Sequence, residues 1–115
     1  MQVDQVLVEA FHARGFFIAV ETNGTLAPPQ GIDWLCVSPK AGADLVVKSG
    51  QELKLVFPQV DAEPSKFTNH DFDYFYLQPM DGILQRENTA RAIDYCLRNP
   101  QWNLSIQTHK IVGIR

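Results

Sequence analysis

Glu21, Asn23, Ser38, Lys40, Gln78, Asp81 and His109 are the side chains of this 115-residue chain best placed for ligand chemistry, because each sits in a short polar string directly after an apolar run. Phe16 to Val20 leads into Glu21-Thr22-Asn23-Gly24-Thr25, and Leu35 to Val37 into Ser38-Pro39-Lys40. Tyr74 to Leu77 leads into Gln78-Pro79-Met80-Asp81-Gly82, and Leu104 to Ile106 into Gln107-Thr108-His109-Lys110. If the four runs are parallel strands, the strings gather at the carboxyl edge of one sheet, where open α/β sheets and barrels bind their ligands. Carboxylate, amide, hydroxyl and ammonium groups on one rim would hold the polar atoms of a small molecule.

The elements that must position these strings follow from apolar spacing. Val6, Leu7, Ala10 and Phe11 recur at helical intervals over residues 4 to 14, with Asp4 as candidate N-cap and Gly15 at the left-handed position that ends a helix. The run from Phe16 is continuously apolar, which predicts a central parallel strand covered on both faces. Trp34-Leu35-Cys36-Val37 repeats the pattern and ends at Pro39. Residues 52 to 57 alternate, with Glu52 and Lys54 on one side, so one face of that strand meets polar surroundings. A loop with one helical turn is expected between Pro58 and Phe72, and a strand over Asp73 to Leu77. A helix over Glu87 to Leu97 would present Ala90, Ile93, Cys96 and Leu97 on one side before Pro100, and Leu104 to Ile106 makes the last strand.

Length fits one domain, residues 1–115. Five parallel strands need cover on both faces, yet only two good helices are available. The expected architecture is therefore an incomplete, half parallel α/β barrel of about five strands. Its exposed edge falls on the Phe16 strand, and its incompletely buried apolar face favours association.

Composition removes several function classes. A net charge of −3 with scattered basic residues lacks the footprint of a nucleic-acid binder. No apolar stretch approaches a membrane span, and Met1-Gln2-Val3-Asp4 has no signal-peptide pattern, so a cytoplasmic location is expected. Cys36 and Cys96 fall in apolar settings and share no ligand-type interval with His12, His70 or His109, so they read as core residues.

Taken in order, the four strings resemble the C-terminal half of 7-carboxy-7-deazaguanine synthase, a radical S-adenosylmethionine enzyme of queuosine and deazapurine biosynthesis. The resemblance runs through essentially the whole chain. It implies conversion of 6-carboxy-5,6,7,8-tetrahydropterin by a 5′-deoxyadenosyl radical, with a [4Fe-4S] cluster and Mg2+ as further cofactors. It also implies that Ser38, Pro39, Lys40, Gln78, Pro79, Met80 and Asp81 line the S-adenosylmethionine pocket, and that Glu21, Asn23 and His109 meet the pterin. A carboxylate such as Glu21 suits the 2-amino and ring N–H donors of a pterin, since its two oxygens take a forked pair of hydrogen bonds. The family often ends Gly-Ile-Pro with the terminal carboxylate on the substrate, whereas this chain ends Gly113-Ile114-Arg115, so Arg115 would deliver that contact or alter it. The family's cluster-binding cysteine triad has no counterpart before Glu21. The implied partners are the pterin and either an N-terminal half-barrel or a self-associating copy in a homodimer.

Each assignment has a plainer rival. Asn23-Gly24 is a strong turn signal, set against a glycine that lets backbone approach a ligand. Trp34 and Trp102 open strands and are expected to anchor the core. Phe72, Tyr74, Phe75 and Tyr76 read as strand packing rather than a stacking platform, and His12 and His70 as surface or boundary histidines. A non-catalytic half-barrel that binds or assembles through its uncovered face is the alternative reading of the whole chain.

Overall fold

The computed structural model describes residues 5–105. Helix α1 (Gln5–Ala13) precedes strands β1 (Ala19–Thr22), β2 (Trp34–Val37), β3 (Ser49–Phe57) and β4 (Asp71–Pro79), and helix α2 (Gln85–Arg98) leads into β5 (Trp102–Leu104). All five strands run parallel in one sheet of order β1-β2-β3-β4-β5. The sheet does not close on itself, as a partial barrel requires.

Alternation along the strands sorts side chains onto two faces. Thr22, Val37, Leu53, Phe75 and Trp102 form one register row, and Leu55, Leu77 and Leu104 the next. This is the covered face: Val37, Leu53, Leu55, Leu77 and Trp102 are essentially solvent-free, and α2 packs against β4 and β5. The α2 face that is buried is Asn88 and Ala92, with Tyr95 and Cys96 packed on the core. That corrects the sequence expectation, because Ala90, Ile93 and Leu97 are not among its buried residues, and Ile93 and Leu97 are exposed. Their spacing marks a helix, but β4 and β5 meet the turn beside them.

Helix α1 departs in the same way. Val8, 1% exposed, is its buried residue, while Val6, Leu7, Ala10 and Phe11 face outward. Gly15 takes φ +81°, the left-handed geometry expected past the helix end, and Asp4 lies outside the described residues. Phe16 and Phe17 precede β1 rather than open it, and Phe17 is 71% exposed. β1 is thus an edge strand without cover on both faces, in line with the exposed edge expected of a half-barrel and against a central position. The last strand begins at Trp102, before the Leu104 expected from sequence, and Ile106 lies outside the described residues.

One corner ties the amino-terminal ends together. The Asp33 carboxylate accepts the Ile18 N–H at 2.7 Å and meets His12 Nε2 at 2.8 Å, linking α1 to the entries of β1 and β2. These bonds hold the Asp33 carboxyl below the usual carboxylate range, the Ile18 N–H contributing most.

Candidate functional site

The parallel order brings the carboxyl ends of β1, β2 and β4 to one edge, so three of the four polar strings share a rim. The fourth, with His109, and the terminal Arg115 lie outside the described residues. Glu21, Cys36, Glu52 and Tyr74 are consecutive register partners across four strands on the face opposite the core. Lys54, Tyr76 and Asn103 form the next row toward the rim, and Val56 and Gln78 the row after that. Glu21 and Gln78 therefore share both a face and an edge. They lie three strands apart across the sheet, roughly 14 Å, and two rows apart along it, roughly 13 Å, so they would meet different parts of a ligand or two ligands.

Most of this face carries polar and aromatic groups. Lys54 Nζ lies 3.4 Å and 3.3 Å from the two Glu21 carboxylate oxygens, reaching past β2 to do so. Trp34 Nε1 donates to Glu52 at 3.0 Å, and the Trp34 ring stacks at 5.9 Å on Tyr74, which stacks at 6.5 Å on Tyr76. Trp34 is thus half-buried on the open face and not the core anchor expected, whereas Trp102 is. The aromatic group divides likewise: Phe72 and Phe75 pack in the core, while Tyr74 is 47% exposed. Cys36 lies between the two carboxylates of its row, and burial first, then Glu52 and Glu21, pushes its thiol up to about 12.

The strings are held by backbone bonds. Ser38 N–H donates to the Thr22 carbonyl at 2.7 Å, and its hydroxyl donates to the Lys54 carbonyl at 2.8 Å, leaving the Ser38 oxygen free as an acceptor. Pro39 is buried and Lys40 exposed. The Gln59 side chain accepts the Ala41 N–H and donates to the Val56 carbonyl, which fixes the loop after Lys40 against the end of β3. Met80 N–H donates to the Phe57 carbonyl at 2.7 Å, and Asn88 Nδ2 donates to the Met80 carbonyl at 3.2 Å. Pro79 is buried, and Met80 and Asp81 face solvent.

Asn23 Oδ1 accepts the Thr25 N–H and hydroxyl, shaping a turn. Gly24 has φ +79°, and a Cβ there would lie 2.5 Å from the Leu45 side chain and 2.9 Å from that of Val37. Gly24 therefore lets its own chain approach closely, against Leu45 and Val37. Sequence reasoning missed Lys54 and Asn88 as site-shaping residues. The signal for Lys54 was a charge in a strand flanked by Leu53 and Leu55; Asn88, a polar residue inside an amphipathic helix, gave none.

A shallow cavity of about 460 Å³, lined by Phe57, Glu87, Ala90, Arg91, Asp94 and Tyr95, lies beside α2 on the covered side. Among the described residues no three His, Cys, Asp or Glu side chains gather as a metal site, and no helix is long and apolar enough to cross a membrane.

No family model matches the chain. Curated relatives do, among them several 7-carboxy-7-deazaguanine synthases. The protein from Bradyrhizobium diazoefficiens is 64% identical over 115 residues, covering 100% of this chain and 55% of its own length. Those from Caulobacter vibrioides and Bacteroides thetaiotaomicron are 60% and 37% identical, covering 99% and 98% of this chain and 54% and 59% of their own. The chain therefore spans a little over half the length of these relatives. With identity this high over essentially its whole length, the chain belongs to the 7-carboxy-7-deazaguanine synthase family and corresponds to about half of such a protein, consistent with the C-terminal half.

Proposed function

We propose that this chain supplies the S-adenosylmethionine and pterin contacts of a 7-carboxy-7-deazaguanine synthase acting on 6-carboxy-5,6,7,8-tetrahydropterin in the cytoplasm. The observation that carries the reading is the placement of Glu21 and Gln78 on one open face at one parallel-strand rim. Glu21, more than half exposed beside Lys54, presents two acceptor oxygens to the N–H edge of the pterin. Gln78, Ser38, Lys40 and Asp81 offer an amide, a hydroxyl oxygen, an ammonium and a carboxylate, the complement of an amino acid joined to a nucleoside. The residues fit that cofactor, which when bound supplies the radical that takes hydrogen from the substrate. Pro39 and Pro79, both buried, fix where the two strings leave their strands. His109 and Arg115 are assigned to the pterin on the resemblance alone.

The [4Fe-4S] cluster does not fit this chain. Cys36 lies on the open face and Cys96 packs on the core of the other, so the two thiols are on opposite sides of the sheet. Burial also raises both thiol pKa values, against the thiolate form that a cluster needs. The partner proposed for the open β1 edge is the portion of the synthases outside the match.

Calorimetry tests the reading on the chain alone and mixed with the remaining portion of the Bradyrhizobium relative. Glu21→Ala is expected to lose pterin-6-carboxylate and keep S-adenosylmethionine, and Gln78→Ala the reverse. Binding of neither ligand by the unaltered chain in either setting would refute it and favour a non-catalytic assembly module, which the exposed apolar side chains before β1, such as Phe16 and Phe17, also suit.

A further inference from the structure

We infer that Lys54 reads the carbonyl of a 2-amino-4-oxopyrimidine ring beside Glu21, making the Glu21–Lys54 pair the specificity element for that ring edge. The inference rests on the reading of Glu21 as acceptor for the ring. The edge of such a ring presents two N–H donors followed by one carbonyl oxygen. A carboxylate complements the donors, and the acceptor next to them calls for a donor of its own. Lys54 is the cation that the fold sets beside Glu21.

Three features point to a role beyond a surface ion pair. Lys54 projects from mid-strand between Leu53 and Leu55, both fully buried, and its side chain is only 22% exposed. Its partner is two strands away, so the aliphatic stem lies over the sheet instead of extending to solvent. The distances of 3.3 Å and 3.4 Å exceed the roughly 2.7–2.9 Å of a tight charge-assisted bond, so the ammonium stands off the carboxylate. An entering N–H pair can replace it on Glu21, and rotation about the terminal side-chain bonds turns the ammonium to the adjacent carbonyl. The strand under Lys54 is itself fixed, since its carbonyl accepts the Ser38 hydroxyl.

The test compares pterin-6-carboxylate with its 4-thioxo counterpart, which keeps the 2-amino group and ring N–H but offers sulfur, a weak acceptor. The unaltered chain is expected to bind the oxo compound about tenfold tighter, the worth of one charge-assisted bond. Lys54→Met should bind both about equally, and Lys54→Arg should keep the preference. Glu21→Gln should weaken both by a similar factor. An oxo preference unchanged in a folded Lys54→Met chain, with Glu21→Gln weakened, overturns the role of Lys54 alone. Glu21→Gln binding as tightly as the unaltered chain overturns the underlying reading of Glu21. Should Lys54→Met fail to fold, Lys54→Gln set against Lys54→Arg reads the same ratio.

Discussion

Asn88 shows how one buried polar side chain can fix the backbone of a candidate site string. It is the buried polar residue of the described core, and its amide hydrogens reach the Met80 carbonyl inside the Gln78–Asp81 string. Asn88→Ala is expected to cost about 1 kcal/mol, the net worth of such a bond plus the desolvated carbonyl it leaves. A urea midpoint unchanged by the substitution would count against this. Asn88→Asp is worse at neutral pH, because a carboxylate faces a carbonyl. The folded pKa of the new carboxyl is raised, so the stability deficit should shrink in acid, where the protonated form donates again. Cys36 gives a second residue-scale outcome: with its thiol pushed up to about 12 and the side chain buried, it should resist thiol reagents in the native state. Rapid labelling of Cys36 without denaturant would contradict that environment.

At the scale of elements, the α1–β1–β2 corner turns on Asp33. Its carboxyl is held low by the Ile18 N–H and by His12, so its contribution is present above the unfolded pKa and lost as pH falls through the lower folded value, below about 4. The carboxylate is partly exposed, and solvent screening keeps the effect small. An asparagine in its place would still accept the Ile18 N–H without titrating, so Asp33→Asn should flatten the acid limb of the stability profile. An equally steep loss in the variant, followed by urea unfolding across pH, would show that other carboxylates carry it. The same elements show what the sequence made legible. Strand ends were readable because Pro39, Pro79 and the polar strings interrupt apolar runs, and parallel order followed from strands alternating with helices or crossover loops; hence Glu21, Ser38 and Gln78 could be placed near strand ends at one edge. Which side of α1 and α2 is covered was not readable, since periodicity reports the helix and not its neighbour. Residues 49 to 51 of β3 have weak strand propensity and are recruited by pairing with β4, as in Ser49 with Asp71. Lys54 looked like ordinary alternation because its partner Glu21 is 33 residues distant in sequence.

At the scale of the whole molecule, apolar side chains stand exposed on α1 and on the segment that leads into the open β1 edge: Val6, Leu7, Phe11, Phe16 and Phe17. An unpaired strand edge beside such a patch drives association, and the match to about half of the synthases points to the remaining portion as the occupant. Sedimentation of the chain mixed with that portion of the Bradyrhizobium relative should show a one-to-one complex, with Phe17 shielded from solvent. Val6→Glu combined with Phe17→Glu should weaken the complex while leaving the fold intact, because neither side chain belongs to the core. The complex, unlike this chain alone, should turn brown on anaerobic reconstitution with iron and sulfide, since the chain's two thiols lie on opposite faces of its sheet. A chain that stays monomeric in the mixture, or that takes up a cluster by itself, would show that the edge has another occupant and that the half-barrel is not completed in this way.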